Sequence, residues 1–169
     1  MKIGNQTWMA ENLAYKPSSG NYWAYDNDNT NVAKYGYLYN WETAKNVCPS
    51  SWRLPSDADW KVLTLHLGGK EVAGTKMKSI SGWTSGGNGT NISGFNGFPA
   101  GALYINGYFA NIGDMGLWWS SSRDVIIKLD FSIETTDKAK SRQLLYSSGS
   151  VYNVKSKKTY GYSVRCIKD

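Results

Sequence analysis

The last part of the chain alternates between apolar and polar residues. From residue 117 onward this period-two pattern recurs in five segments that polar turns separate: 117–122, 125–133, 143–147, 151–154 and 160–167. Such alternation is typical of antiparallel strands that place one face on the core. Residues 5–10 predict one further short strand. The pattern therefore predicts a sheet built mainly from the C-terminal part of the chain.

Earlier in the chain the apolar spacing changes to that of a helix. Apolar positions between residues 38 and 48 recur at helical spacing, and Pro49 ends the predicted helix. Cys48 is then expected at the end of this helix, facing the core.

A second helix is predicted after Ser56, which can cap its first turn. Asp57 and Asp59 favour the positive N-terminal end of that helix. One apolar face is formed by Trp60, Leu63 and Leu67. The glycines at 68 and 69 end the helix, and His66 beside the apolar face is expected to be structural or exposed at the surface.

Residues 70–116 hold most of the glycines. A short helix is predicted over 71–79, and the remainder is predicted to be long ordered loop, which in a compact domain usually has a function. The glycine spacing matches neither a P-loop nor a dinucleotide-binding fingerprint. The fold class that follows is α+β: helices with antiparallel sheets and a long Gly-rich loop region.

Composition supports one loop-rich domain. The chain has 169 residues, with 8 Trp, 12 Tyr and 18 Gly, which suits a single domain over residues 1–169 with short strands and tight turns. No apolar run is long enough to cross a bilayer, and the N-terminus has no apolar signal region.

The net charge of +6 is spread along the chain. The densest basic groups are Lys155, Lys157 and Lys158, and Lys138, Lys140 and Arg142. This spacing favours a solvated surface over a phosphate-binding stripe, so nucleic acid is not the expected partner.

Two cysteines, Cys48 and Cys166, lie too far apart in sequence for a local redox or zinc motif. With one histidine in the chain, a Cys/His metal cluster is excluded as well. The residues alone leave two alternatives: a disulfide that closes a very long loop, or two buried free thiols.

A cluster of short polar residues at 26–29 allows two interpretations. Asn and Asp commonly form turns, but Asp26 and Asp28 are also alternate oxygen ligands for calcium. The glycine and the acidic residue that an EF-hand loop needs are absent. Turn formation is preferred, and no cofactor is expected.

Several motifs in the right order resemble the Fibrobacter succinogenes major paralogous domain family. They are residues 3–13, 37–41, the Cys48-Pro49 junction, 52–60, 119–122 and 161–169. The resemblance covers nearly the whole chain, although residues 123–145 depart from the family's pattern. The Arg-Leu-Pro-Ser-Asp-Ala-Asp-Trp segment at 53–60 is also similar to a motif of formylglycine-generating-enzyme-like domains.

This resemblance implies a C-type-lectin-like fold, in which two helices flank twisted antiparallel sheets and the termini lie close together. It also implies a disulfide between Cys48 and Cys166, joining the first helix to the last strand. The related oxidases use a separate cysteine pair, which this chain lacks, and the calcium signatures of lectins are absent too. Family members are exported proteins and lipoproteins, so we expect one domain of a longer exported protein, at the cell surface or outside the cell.

The expected function is non-catalytic recognition of an extracellular protein or carbohydrate through the C-terminal hairpins and loops. The expected ligand-binding residues are Trp118, Trp119, Arg123, Tyr146, Tyr152, Asn153 and Tyr160. Adjacent strand residues face opposite sides, so one of Trp118 and Trp119 is expected in the core and the other at the surface. The alternative is an assembly subunit of a bacterial surface appendage such as an adhesin, which would show self-association or an exposed strand edge.

Overall fold

A computed structural model describes all residues, 1–169. Its strands are β1 (Lys2–Ile3), β2 (Gln6–Thr7), β3 (Tyr22–Trp23), β4 (Leu38–Tyr39), β5 (Trp52–Arg53), β6 (Ala100–Leu103), β7 (Phe109–Ile112), β8 (Met115–Ile127), β9 (Ile133–Leu145), β10 (Tyr152–Lys157), β11 (Tyr162–Ser163) and β12 (Ile167–Lys168). Its α-helices are α1 (Val32–Tyr35), α2 (Trp41–Ala44), α3 (Asp57–His66) and α4 (Lys70–Met77). The fold class is therefore α+β, as predicted.

One six-stranded sheet, in the order β10-β9-β8-β11-β4-β3, organises the fold. All its pairings are antiparallel except that of β11 with β8, which is parallel and meets only at Ser163 and Trp118. Three further two-stranded sheets pair β1 with β2, β12 with β5, and β6 with β7. The C-terminal part of the chain supplies four of the six main strands, as the alternation predicted.

Helix α3 begins and ends where the local signals place it. The hydroxyl of Ser56 accepts a hydrogen bond from the Asp59 backbone N–H, and the Asp59 carboxylate accepts one from the Ser56 N–H. This reciprocal capping box satisfies two donors that a helix start otherwise leaves unpaired. Trp60 and Leu63 are fully buried, so the predicted apolar face is confirmed.

The first predicted helix is much shorter than its apolar spacing indicates. Helix α2 has four residues, with Asn40 as its cap, and Cys48 lies beyond its end. Asn46 and Val47 are poor helix formers, and Pro49 disfavours helical geometry at Cys48. The short helix predicted over 71–79 is present as α4.

The prediction of a strand over 125–133 is wrong, because the chain turns at 128–132. The Asp130 carboxylate accepts hydrogen bonds from the backbone N–H and the hydroxyl of Ser132, and the Phe131 N–H donates to the Lys128 carbonyl. Strand β8 therefore ends at Ile127, and β9 returns through a polar stretch that the alternation did not identify.

Two aromatic-rich cores lie on opposite sides of the main sheet. One contains Trp8, Trp60 and Trp118, and the other contains Trp41 and Trp119. The two adjacent tryptophans of β8 do face opposite sides, but both are 0% exposed. The expectation that one of them lies at the surface is wrong, because both faces of the sheet are covered here.

The chain termini meet, and a disulfide locks this junction. The N–H of Met9 donates to the carbonyl of Cys166, and Cys166 is bonded to Cys48, with 6.0 Å between their Cα atoms. The disulfide implied by the family resemblance is thereby confirmed, and no free cysteine remains. None of the helices has the length and apolar character needed to cross a membrane.

Candidate functional site

A cleft of about 490 Å³ lies between α3 and the start of β10. We call it the α3–β10 cleft. Its lining residues come from α3, from the start of α4, from β9 and from the beginning of β10: Asp57, Lys61, Thr64, Leu65, Lys70, Arg142, Val151, Tyr152 and Asn153. A concavity of this volume lies in the range typical of small-ligand sites.

Asp57, the first residue of α3, organises the floor of the cleft. Its carboxylate accepts hydrogen bonds from Arg142 (Nη2 to Oδ1, 2.6 Å), Lys140 (Nζ to Oδ2, 2.9 Å) and Asn153 (Nδ2 to Oδ1, 3.2 Å). Burial acts to raise the pKa of Asp57, but the hydrogen bonds from Lys140 and Arg142 outweigh it and lower that pKa below its ordinary value. The carboxylate is therefore ionised at neutral pH and holds the two cations in place.

Arg142 fixes the position of Asn153. The guanidinium is almost fully buried and donates from Nη1 to the Asn153 side-chain oxygen at 3.0 Å, while Nη2 also donates to the backbone carbonyl of Asp57 at 3.1 Å. The Asn153 amide is thus held from both ends, by Asp57 and by Arg142. An amide oriented in this way still has one donor and one acceptor position for a ligand.

The turn that carries Tyr152 is held by a buried lysine. Lys78 donates from Nζ to the carbonyls of Leu145 (3.2 Å) and Ser148 (3.0 Å), and the Ser148 hydroxyl lies 3.0 Å from the Tyr152 hydroxyl. Burial lowers the pKa of Lys78. These contacts connect the interior of the protein to the exposed ring of Tyr152 at the rim of the cleft.

The upper wall of the cleft is basic and partly apolar. Lys61 is exposed and has no ion-pair partner, and the ammonium of Lys70 lies 3.4 Å from Glu71. Leu65 is exposed beside them. The cleft therefore combines an aromatic ring, an oriented amide and cations, which suits a ligand with an apolar face and a negative group.

A model of the Fibrobacter succinogenes major domain matches residues 1–168. The chain belongs to this family. Searches of curated proteins and of solved structures found no match.

In this member of the Fibrobacter succinogenes major domain family, the predicted ligand-binding residues do not form one surface. Tyr152 and Asn153 line the cleft, and Tyr146 is exposed on the adjoining turn. Tyr160 lies elsewhere, with its ring 5.2 Å from that of Tyr104, and Arg123 lies exposed on β8. Trp118 and Trp119 are fully buried and offer a ligand no surface.

The predicted turn at 26–29 is present. Asp28 accepts a hydrogen bond from the Thr30 N–H and so caps a short 3-10 helix, and Asp26 is exposed with a positive φ of 55°. Nowhere in the chain do three or more His, Cys, Asp or Glu side chains gather as metal ligands would. His66 is exposed at the end of α3.

Several residues of the cleft escaped the sequence analysis, above all Asp57, Lys61 and Arg142. Asp57 was interpreted only as a favourable charge at a helix start, and Arg142 as part of a solvated basic group. The only sign of a role for Arg142 in the sequence was its place within a polar segment that can form a strand. The pairing of β9 with β10 sets Arg142 opposite Asn153, and the packing of β9 against the start of α3 brings Arg142 to Asp57.

Proposed function

We propose that this chain is a non-catalytic extracellular recognition domain that binds an acidic carbohydrate in the α3–β10 cleft. One observation carries the proposal: the exposed ring of Tyr152 lies beside an amide held in a fixed orientation and beside cations, within one concave site. Aromatic rings stack on the apolar faces of sugars, while amides and cations bind hydroxyl and carboxylate groups.

A C-type-lectin-like architecture is part of the same proposal. In support of it, a disulfide ties the segment after α2 to the last strands, the termini are paired, and loops with little regular structure fill much of the middle of the chain. The disulfide also supports an extracellular location, because such bonds persist in oxidising compartments.

The absence of a catalytic role is proposed from the residue inventory. Both cysteines are in the disulfide, and the single histidine is exposed and away from the cleft lining. The one carboxylate of the cleft, Asp57, is bound by two cations and an amide, so it is a poor proton acceptor for catalysis.

The proposal has a direct binding test. An oligogalacturonate and a neutral cello-oligosaccharide of the same length would be titrated by calorimetry, with and without calcium. We expect the acidic sugar alone to bind, independently of calcium, and its affinity to fall as the salt concentration rises because charge contributes to binding.

Two cleft variants and one control locate the site. Tyr152→Ala and Lys61→Ala should each weaken binding by about tenfold. Tyr108→Ala removes an exposed ring from the turn between β6 and β7 and should leave affinity unchanged. A glycan array on which no acidic sugar binds, or equal affinity for Tyr152→Ala and the wild type, would contradict the proposal.

A further inference from the structure

The ends of β8 and β9 extend beyond the main sheet as a two-stranded arm, residues 123–137. Strand β10 pairs with β9 only as far as Lys138, and β11 meets β8 only at Trp118. Past these points no further strand pairs with the arm, although its base is held where Lys155 binds Asp124 and Lys158 donates to the carbonyls of Thr136 and Asp137. A two-stranded ribbon alone is marginally stable in water, so an arm of this length is expected to be covered by something.

The arm exposes a large amount of apolar surface. Leu129 and Phe131 at its tip are 102% and 87% exposed. On one face of the ribbon the pairing sets Val125 opposite Thr135 and Ile127 opposite Ile133, and all three aliphatic side chains are exposed. Contiguous exposed apolar surface of this kind marks an interaction site.

The outer edge of β8 has free main-chain groups. The Lys128 N–H donates to Ser132 across the arm, which directs the even-numbered residues of this segment toward β9. By alternation, the N–H and C=O groups of Val125 and Ile127 point away from β9, toward solvent. Three consecutive β-branched residues on such an edge, uninterrupted by a charge or a proline, form a template for another strand.

We propose that the arm pairs with the arm of a second copy of this chain, β8 against β8, about a two-fold axis at Ile126. Antiparallel pairing in this register lets Val125 and Ile127 exchange main-chain hydrogen bonds with Ile127 and Val125 of the second copy. Ile126 then packs against its own equivalent. An isologous contact of this kind closes on itself and gives a dimer.

Charge complementarity selects this register. It sets Asp124 of each copy opposite Lys128 of the other, on the face where Lys155 already binds Asp124 and Lys128 binds Glu134. The contact therefore joins two existing ion pairs into one row of alternating charges.

The net positive charge of the two copies does not oppose the contact. The other lysines of β9 and β10 lie away from the free edge of β8, and Lys155, which reaches this edge, is neutralised by its ion pair with Asp124. With strands about 4.8 Å apart, the two β10 strands of the dimer are separated by about 24 Å, well beyond the screening length of about 8 Å at physiological salt.

A lipid surface fits the arm less well. Asp130 lies between the two apolar residues of the tip, where its carboxylate accepts hydrogen bonds from Ser132. Inserting Leu129 and Phe131 into hydrocarbon would carry this charged group with them, which is strongly unfavourable.

The test is the oligomeric state, measured by sedimentation velocity from low micromolar to several hundred micromolar protein. The wild type should show a monomer–dimer equilibrium. Ile126→Lys sets like charges against each other at the two-fold axis and should raise the dimer Kd by about tenfold or more. Ile92→Lys, at an isoleucine that is 77% exposed elsewhere, should dimerise like the wild type.

A mixing experiment tests the register itself. Ile126→Lys and Ile126→Glu should each dimerise more weakly than the wild type, and at a concentration where each alone is monomeric an equimolar mixture should form a heterodimer because opposite charges then meet at position 126. A monomeric wild type at every concentration overturns the proposal, whether or not that monomer co-sediments with anionic vesicles. So does an Ile126→Lys dimer of wild-type strength, or a mixture that stays monomeric.

Discussion

The guanidinium of Arg165 lies 2.6 Å from the side-chain oxygen of Asn12, Nη2 to Oδ1, across 153 positions of the chain. The same oxygen accepts a hydrogen bond from Trp118 Nε1 at 2.8 Å. Arg165 is fully buried, and its Nη1 donates to the carbonyls of Ala10 and Phe95. One arginine thus joins the beginning of the chain, the long loop region and the last segment, and burial lowers its pKa.

Asn12→Ala should destabilise the fold by about 3 kcal/mol, because it leaves buried donors of Arg165 and Trp118 without their acceptor. Urea unfolding followed by tryptophan fluorescence measures the loss. Asn29→Ala, at an exposed amide, should change stability by less than about 0.5 kcal/mol. Equal unfolding midpoints for the two variants would show that this junction is not a source of stability.

The disulfide should contribute about 4–5 kcal/mol to the free energy of unfolding. It closes a loop with a sequence separation of 118 residues and so restricts the unfolded chain. Replacing Cys48 and Cys166 together by alanine should lower the free energy of unfolding by that amount. The wild type measured in a reductant provides an independent comparison. A double variant as stable as the oxidised wild type would contradict the expectation.

Asp59 should make the stability of the protein depend on pH in the acid range. Burial acts to raise its pKa, but hydrogen bonds from Arg53 and Ser56 outweigh this and lower the pKa to about 2. Because this is below the unfolded value of about 3.9, the stabilisation is complete above pH 4 and is lost as the pH falls toward 2. Asp59→Asn should be less stable at neutral pH and should show a flatter stability profile between pH 4 and 2. Parallel profiles for variant and wild type would argue against this role.

Lys78→Met should loosen the turn that precedes Tyr152, a residue of the proposed binding site. The change removes the donor to the carbonyls of Leu145 and Ser148, which should lower the free energy of unfolding by about 1–3 kcal/mol. Hydrogen exchange should become faster over residues 146–151. Lys16→Met, at an exposed lysine, is the matched control and should leave exchange in the turn as it is.

The elements that could be predicted from the sequence are those whose signals are local. Helix α3 is one, because Ser56 and Asp59 form a capping box within four residues and the apolar face follows at once. The C-terminal strands are another, since alternation is visible within each. The length of helix α2 was overestimated because the prediction relied on local spacing alone. The apolar spacing continues past Ala44, where the helix ends.

Much of the candidate site could not be predicted, because it depends on which segments meet. Tyr152 and Asn153 were expected at a binding surface, but Arg142 and Lys140 were interpreted as solvated charges. They lie in the cleft region because β9 packs against the start of α3, where Asp57 accepts hydrogen bonds from both. Burial of Arg142 needs such a partner, and Asp57 is more than eighty residues away from it in sequence.

By itself, the sequence determined the α+β class, the position of α3, the C-terminal sheet and, through its motifs, the family and the pairing of Cys48 with Cys166. Only the tertiary structure decided that Trp118 and Trp119 are both buried, that a cleft forms beside Asp57, and that the arm at 123–137 extends past the last strands that pair with β8 and β9. The reason is physical: capping and alternation depend on neighbours along the chain, whereas burial and charge pairing depend on what covers each face after distant segments have packed together.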